Sequence, residues 1–299
     1  METSPLAINE ELPDSVFPDI KNDVLSALES IENFFKSRGE PTGTPTGLKR
    51  LDEMINGLHY GLLYVIAARP FMGKTTLAIN IAEHVAIEQK KPVAVFSLAM
   101  SCNEFVLRLL CSRAKVNLQG VRHGFLRKED SQNLFKAASA YTQSKMHIDD
   151  GADLNLKSLR EKAIQIQGLS LIVIDHLEHM LTPWKRGEKR RIEIAELAAG
   201  LKALAVELKV PVIVIAKLNR DSELMPDGIP DISDLGKYKV LEHYADVIGL
   251  LYRWVNAPEE EKKAGGGVNA ELIIAKNRDG NTGAIPLTFI NGYMRFESA

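Results

Sequence analysis

The chain has 299 residues, 45% of them hydrophobic and 25% charged, which suits one large α/β domain or two small ones. Its formal net charge of -2 excludes a polycation, so any nucleic-acid contact must come from local basic patches. The pattern contains neither a membrane-length apolar run nor a signal peptide, and its two cysteines, Cys102 and Cys111, lack metal-site spacing. These features predict a cytoplasmic protein, with no membrane partner, whose thiols are buried in one helix.

Residues 1–17 are polar, acidic and interrupted by Pro5 and Pro13, and read as a mobile arm. From Asp19 to Arg38, Val24, Leu28, Ile31 and Phe35 share one helical face. Gly39 stops this helix, and the turn-rich passage Pro41 to Gly47 separates it from the rest. Its apolar stripe must be buried on its own domain or on a neighbouring subunit. The expected organisation is an arm over 1–17, a linker helix over 18–40 and one domain over 41–299.

Within that domain, apolar runs predict strands over Leu62–Ala67, Pro92–Leu98, Leu171–Asp175, Pro211–Ala216 and Val247–Tyr252. Helical patterns fall between them, after Thr75 and over 121–144, 154–167 and 191–208. Ser101 and Glu104 have capping-box spacing before another helix. Short strands run from Ala270 through Phe296, and Glu259 to Gly267 reads as a solvated hairpin insertion. Alternating strands and helices predict a mostly parallel sheet with helices on both faces.

The chemistry concentrates at the end of the first strand. Ala68, Arg69, Pro70, Phe71, Met72, Gly73, Lys74 and Thr75 fit the phosphate-binding loop G-x-x-x-x-G-K-[ST], with Ala in place of the first Gly. Strand before and helix after supply the context this motif needs. Backbone N–H groups through Thr76 would wrap the phosphates, where unpaired donors and the helix dipole favour an anion. Lys74 would reach the β- and γ-phosphates, and Thr75 would hold Mg²⁺. Asp175 ends a later apolar strand, the usual place for a second magnesium ligand. ATP and Mg²⁺ are therefore the expected cofactors. A metal site from His176, Glu178 and His179 is the weaker reading of that segment.

Two basic passages could face nucleic acid. Lys185 and Arg186 precede a helix, where cations oppose the helix dipole and a phosphate would account for them. Lys237 and Lys239 flank Tyr238, a set that suits phosphate contact and base stacking.

Several segments together resemble the linker helix and motor domain of DnaB-type replicative helicases. They are Thr42–Leu48 with Leu51 and Asp52, Ala67–Thr75, Phe96–Ser101, Leu171–Met180, Ser233–Leu235, Ala245–Val247 and Ile274–Gly280. The family's N-terminal helical domain has no counterpart in this pattern. The resemblance implies a RecA-like P-loop core, a homo-oligomer in the form of a six-membered ring, and 5′ to 3′ translocation on single-stranded DNA. It implies that the 18–40 helix docks on the adjacent subunit, and that a helicase loader or other replication proteins are partners. Lys276 and Arg278 match the pair that reaches into a neighbour's ATP site to neutralise the transferring phosphoryl group.

The departures cluster around the γ-phosphate. The family's water-polarising glutamate is Ala99 here, and a methyl group cannot accept a proton. The family's polar sensor is Lys217, and Glu178 is the nearest carboxylate in a matching strand-end segment. The expectation is a ring motor domain that binds ATP·Mg²⁺ and single-stranded DNA with impaired hydrolysis. The alternative is a non-catalytic, nucleotide-gated DNA-binding or regulatory paralogue. A RecA-like mediator is a third, less supported by the motifs.

Overall fold

The computed structural model describes residues 20, 24–25, 28, 31–32, 41–151, 154–182, 186–218, 228–254 and 267–299. The chain divides into two units, 1–42 and 43–299. In the first, Ile20, Val24, Leu25, Leu28, Ile31 and Glu32 are helical and exposed, while Phe35 lies outside the described residues.

The second unit is built on a nine-stranded sheet in the order β3-β2-β4-β5-β1-β6-β7-β8-β9. The strands are β1 Leu63–Ala68, β2 Val93–Ser97, β3 Met146–Asp149, β4 Leu171–Asp175, β5 Val212–Lys217, β6 Val247–Arg253, β7 Gly267–Asn277, β8 Gly283–Ile290 and β9 Arg295–Ser298. From β3 to β6 every pairing is parallel, and β6 to β9 form an antiparallel edge. The five strands predicted from apolar runs are all present, because a parallel strand covered on both faces has no polar side to show.

Every residue of β1 is buried. Tyr64, Ile66 and Ala68 face one core with Leu77, Ala78 and Ile81 of helix α2 (Lys74–Glu83). Leu63, Val65 and Ala67 face the other with Ile194 and Leu201 of α7 (Gly187–Leu208). The two helices thus cover opposite faces of the sheet. Between β2 and β3 lie α3 (Cys102–Ala114), α4 (Leu118–Arg122) and α5 (Lys128–Thr142), and α6 (Leu156–Ala163) precedes β4.

Some expectations need correction. Edge strand β3 and helix α1 (Lys49–Ile55) have no counterpart in the predicted elements. The helical region from 121 to 144 is two helices, and the long helix starts at Gly187, not Arg191. Cys111 is buried but Cys102, on the first turn of α3, is only partly so. Half of the capping box forms: Ser101 Oγ accepts from Glu104 N at 3.3 Å, while the Glu104 carboxylate accepts from Arg108 and Arg122. The proposed hairpin insertion at 259–267 lies almost wholly outside the described residues.

Candidate nucleotide-binding site

Parallel strands carry their C-terminal ends to one edge of the sheet, and three of these ends build the site. Ala68 at the end of β1 pairs with Lys217 at the end of β5, and Asp175 at the end of β4 pairs with Ser97. Between β1 and α2 the chain turns through two residues with left-handed backbone, Phe71 at φ 66° and Gly73 at φ 91°. Gly73 is required twice over. L residues resist that φ, and a Cβ there would sit 3.0 Å from the Phe296 ring.

Gly73 is the N-cap of α2 and supplies no side-chain cap. The first amides of a ten-residue helix are therefore directed at whatever occupies the loop. Lys74 is buried on the first turn. Desolvation pushes its pKa down, while Glu178 and then Asp175 oppose that shift and Lys217 adds to it. A lysine placed among such groups is ready for a polyanion.

Thr75 Oγ1 donates to Asp175 Oδ1 at 2.9 Å. The buried Asp175 Oδ2 has no hydrogen-bond partner among the described residues. His176 Nδ1 lies 3.0 Å from Oδ1, a contact that becomes an ion pair only when the ring is protonated. A hydroxyl beside a carboxylate with a free buried oxygen is the hard-oxygen donor set that suits Mg²⁺. No cluster of three or more His, Cys, Asp or Glu residues fit to hold a metal occurs among the described residues.

Lys74, Thr75 and His176 line an open cleft of about 790 Å³, with Asp175 buried behind Thr75. Pro70, Gly73, Lys74, Thr75, Thr76 and Lys217 all face it. Met72 instead packs against the neighbouring core, and Arg69 is buried and bonded to the Gly228 carbonyl. Glu178 and His179 also line the cleft. Ala99 does not: it sits exposed on the bend after β2.

Sequence reasoning missed Arg253 and Phe289, which close the cleft from the antiparallel side. Arg253 Nη2 donates to the Phe71 carbonyl at 2.8 Å, and its guanidinium lies 4.1 Å from the Phe289 ring centroid. Burial lowers its pKa. Only the end position of Arg253 on an apolar strand hinted at a role.

Lys276 and Arg278 lie apart from this cleft, at the end of β7 and just beyond it. Lys276 Nζ donates to the carbonyls of Glu242 at 2.5 Å and Ala245 at 2.7 Å. Burial pushes its pKa down, with nearby Arg278 adding to the shift. Arg278 Nη1 meets Asp246 Oδ1 at 3.0 Å and its side chain stays about half exposed.

Among the basic passages, Lys185 lies outside the described residues and Arg186 is exposed at the start of α7. Nearby Arg190 is committed to Glu193 and the Thr182 carbonyl. Lys237 and Lys239 are exposed, but Tyr238 between them is 2% exposed. The expected base stacking by Tyr238 is therefore corrected: its ring belongs to the core, with Lys237 Nζ 5.0 Å from its centroid.

A phosphate-binding loop between β1 and α2, with Asp175 two strands away in a parallel sheet, defines a RecA-like P-loop nucleotide-binding domain. The family model that matches is the DnaB-like helicase C terminal domain, over residues 43–298. The chain belongs to that family. It is 36% identical to the replicative DNA helicase DnaB of Geobacillus stearothermophilus over 97% of its own length and 64% of that protein's. It is 38% identical to DnaB of Leifsonia xyli over 91% of its own length, spanning 60% of the relative. Among solved structures, one described as an ATPase domain superposes with a TM-score of 0.85 at 31% identity, covering 95% of this chain and 99% of that one. A DnaB-like replicative helicase, described with its interactions with primase, gives 0.84 at 32% identity over 94% of this chain and 68% of its own. No helix among the described residues is long and apolar enough to cross a membrane.

Proposed function

We propose that the chain is an ATP·Mg²⁺-dependent motor domain that assembles as a six-membered ring and moves along single-stranded DNA in the 5′ to 3′ sense. The observation that carries the nucleotide reading is the uncapped start of α2, with Gly73 left-handed, Lys74 buried beside it and Thr75 bonded to Asp175. In this reading the amides of the loop and Lys74 bind the β- and γ-phosphates. Thr75 and Asp175 are the residues that would hold Mg²⁺, which would supply positive charge against the phosphates.

The ring reading is supported by Lys276 and Arg278. Neither lines the cleft of its own chain, so in this reading they serve a neighbouring subunit's nucleotide. An arginine supplied in that way contributes about 10³ to 10⁵ in rate. DNA contact falls to Lys185, Arg186, Lys237 and Lys239, and a loader or other replication proteins would act on the assembled ring. Ala99 removes water activation from the family's position, so turnover depends on whether another carboxylate takes it over. A nucleotide-gated DNA-binding role without hydrolysis is the reading left if none does.

The test is binding of a fluorescent ATP analogue by the parent protein and by Lys74→Ala, with Mg²⁺ present and then chelated. Micromolar binding that weakens at least tenfold in the variant, and again on chelation, is expected. Equal affinity for parent and variant would sink the nucleotide reading.

A further inference from the structure

Glu178 carries a buried acceptor that nucleotide binding leaves unused. It sits on the 3₁₀ turn Leu177–Met180 that directly follows β4. His176, with left-handed backbone at φ 69°, turns the chain there, and Leu177 is fully buried and anchors the turn. The Glu178 side chain is thereby directed into the cleft that Gly73, Lys74, Thr75 and Lys217 line. Its Oε2 is buried and has no hydrogen-bond partner among the described residues. Its charge acts on Lys74 more strongly than that of Asp175 does. A carboxylate oxygen that is desolvated, unpartnered and held beside the phosphate-binding lysine is poised to take a proton.

We propose that Glu178 is the general base of nucleoside triphosphate hydrolysis in this chain, serving in place of the carboxylate missing at Ala99. The proposal rests on the nucleotide-binding reading of the cleft. A water molecule attacks the γ-phosphorus, and its proton passes to the Glu178 carboxylate as the new P–O bond forms. The bond from the γ-phosphorus to the bridging oxygen breaks, and its electron pair leaves on the nucleoside diphosphate. Glu178 then returns the proton to solvent. Lys217, at the end of β5 and lining the same cleft, adds positive charge beside the oxygens that gain negative charge in this step.

The experiment compares the parent ring with the isosteric variant Glu178→Gln. Steady-state ATPase on single-stranded DNA is measured against a Lys74→Ala baseline, and the affinity for mant-ATP is measured on the same preparations. Expected is a fall in kcat of about 10² to 10⁴, with mant-ATP affinity held within about threefold, which also shows that the variant folds. A kcat within about twofold of the parent would overturn the proposal. So would a loss of turnover matched by an equal loss of mant-ATP affinity, because Glu178 would then serve only to balance Lys74. A parent that binds mant-ATP but turns over no faster than the Lys74→Ala baseline overturns this inference and leaves the nucleotide reading standing. A parent that does not bind mant-ATP overturns both, and the nucleotide reading first.

Discussion

Asp246 joins three parts of the molecule through one buried carboxylate, 1% exposed. Its Oδ2 accepts from the Leu63 amide at 2.8 Å, fixing the start of β1, and from Lys202 Nζ of α7 at 2.6 Å. Its Oδ1 accepts from Arg278 at 3.0 Å, and its carbonyl accepts from the Arg278 amide at 2.9 Å. The partners are not equivalent. Lys202 is mostly buried and also donates to the Gly61 carbonyl, whereas Arg278 is about half exposed. Breaking a buried pair costs about 3–5 kcal/mol, while an exposed pair contributes roughly 0–1 kcal/mol. Asp246→Ala should therefore lower the unfolding free energy by about 3 kcal/mol in urea, at the low end because Lys202 keeps some solvent access. Arg278→Ala should lower it by less than about 1 kcal/mol. Similar losses in the two variants would show that Asp246 mainly holds Arg278. Under the proposed ring reading, so weak a tether would let Arg278 exchange its own subunit's carboxylate for a neighbour's phosphate.

At the scale of elements, the 3₁₀ segment Ile232–Tyr238 shows how a short loop can present charge in a fixed way. Asp231 accepts from the Ser233 amide at 3.0 Å and starts the turn, while Leu235 and Tyr238 are buried. Gly236, at φ 52° and ψ −114°, breaks the segment between these anchors and leaves Lys237 and Lys239 outside. Lys237→Ala with Lys239→Ala should weaken single-strand binding and reduce the slope of log affinity against log salt by about 1.4, at roughly 0.7 per lost phosphate contact. Titrations of a labelled oligonucleotide at several salt concentrations measure it, and an unchanged slope would place the two lysines on a merely solvated face. The lysines of this loop were legible in the sequence; the burial of Tyr238 was not, because three residues around a glycine kink have no periodicity to read. A different limit explains β3, whose Met-His-Ile-Asp is too short an alternation to stand out and is only partly buried at the sheet edge. Helix α1 is short and starts at Leu48 without a side-chain cap, so it gives no start signal. The phosphate loop and Thr75 were legible because strand, glycine and lysine lie close together in the chain, and Asp175 because it ends an apolar run of its own. Arg253 and Phe289 reach the cleft from strands far along the sequence, and only the fold brings them there.

At the scale of the whole molecule, the question is what the helical residues of the 1–42 unit are for. Ile20, Val24, Leu25, Leu28 and Ile31 are between 47% and 69% exposed, an apolar surface that calls for a partner. We propose that a neighbouring subunit covers it. Burying these five half-exposed aliphatic side chains is worth roughly 1–2 kcal/mol each. Repeated at six junctions, that is enough to decide between a closed ring and separate subunits. If, as proposed above, Arg278 of one subunit serves the Lys74 cleft of the next, assembly and turnover rise and fall together. Removing residues 1–38 should therefore shift the protein from rings to monomers in sedimentation velocity and abolish DNA-stimulated ATPase. Binding of an ATP analogue to each monomer should survive, because the uncapped start of α2, Lys74, Thr75 and Asp175 all lie within residues 43–299. The milder pair Leu28→Asp and Ile31→Asp should act in the same direction at low protein concentration. A truncated chain that still sediments as a hexamer would place the ring contacts in the 43–299 unit and give the exposed stripe to some other partner.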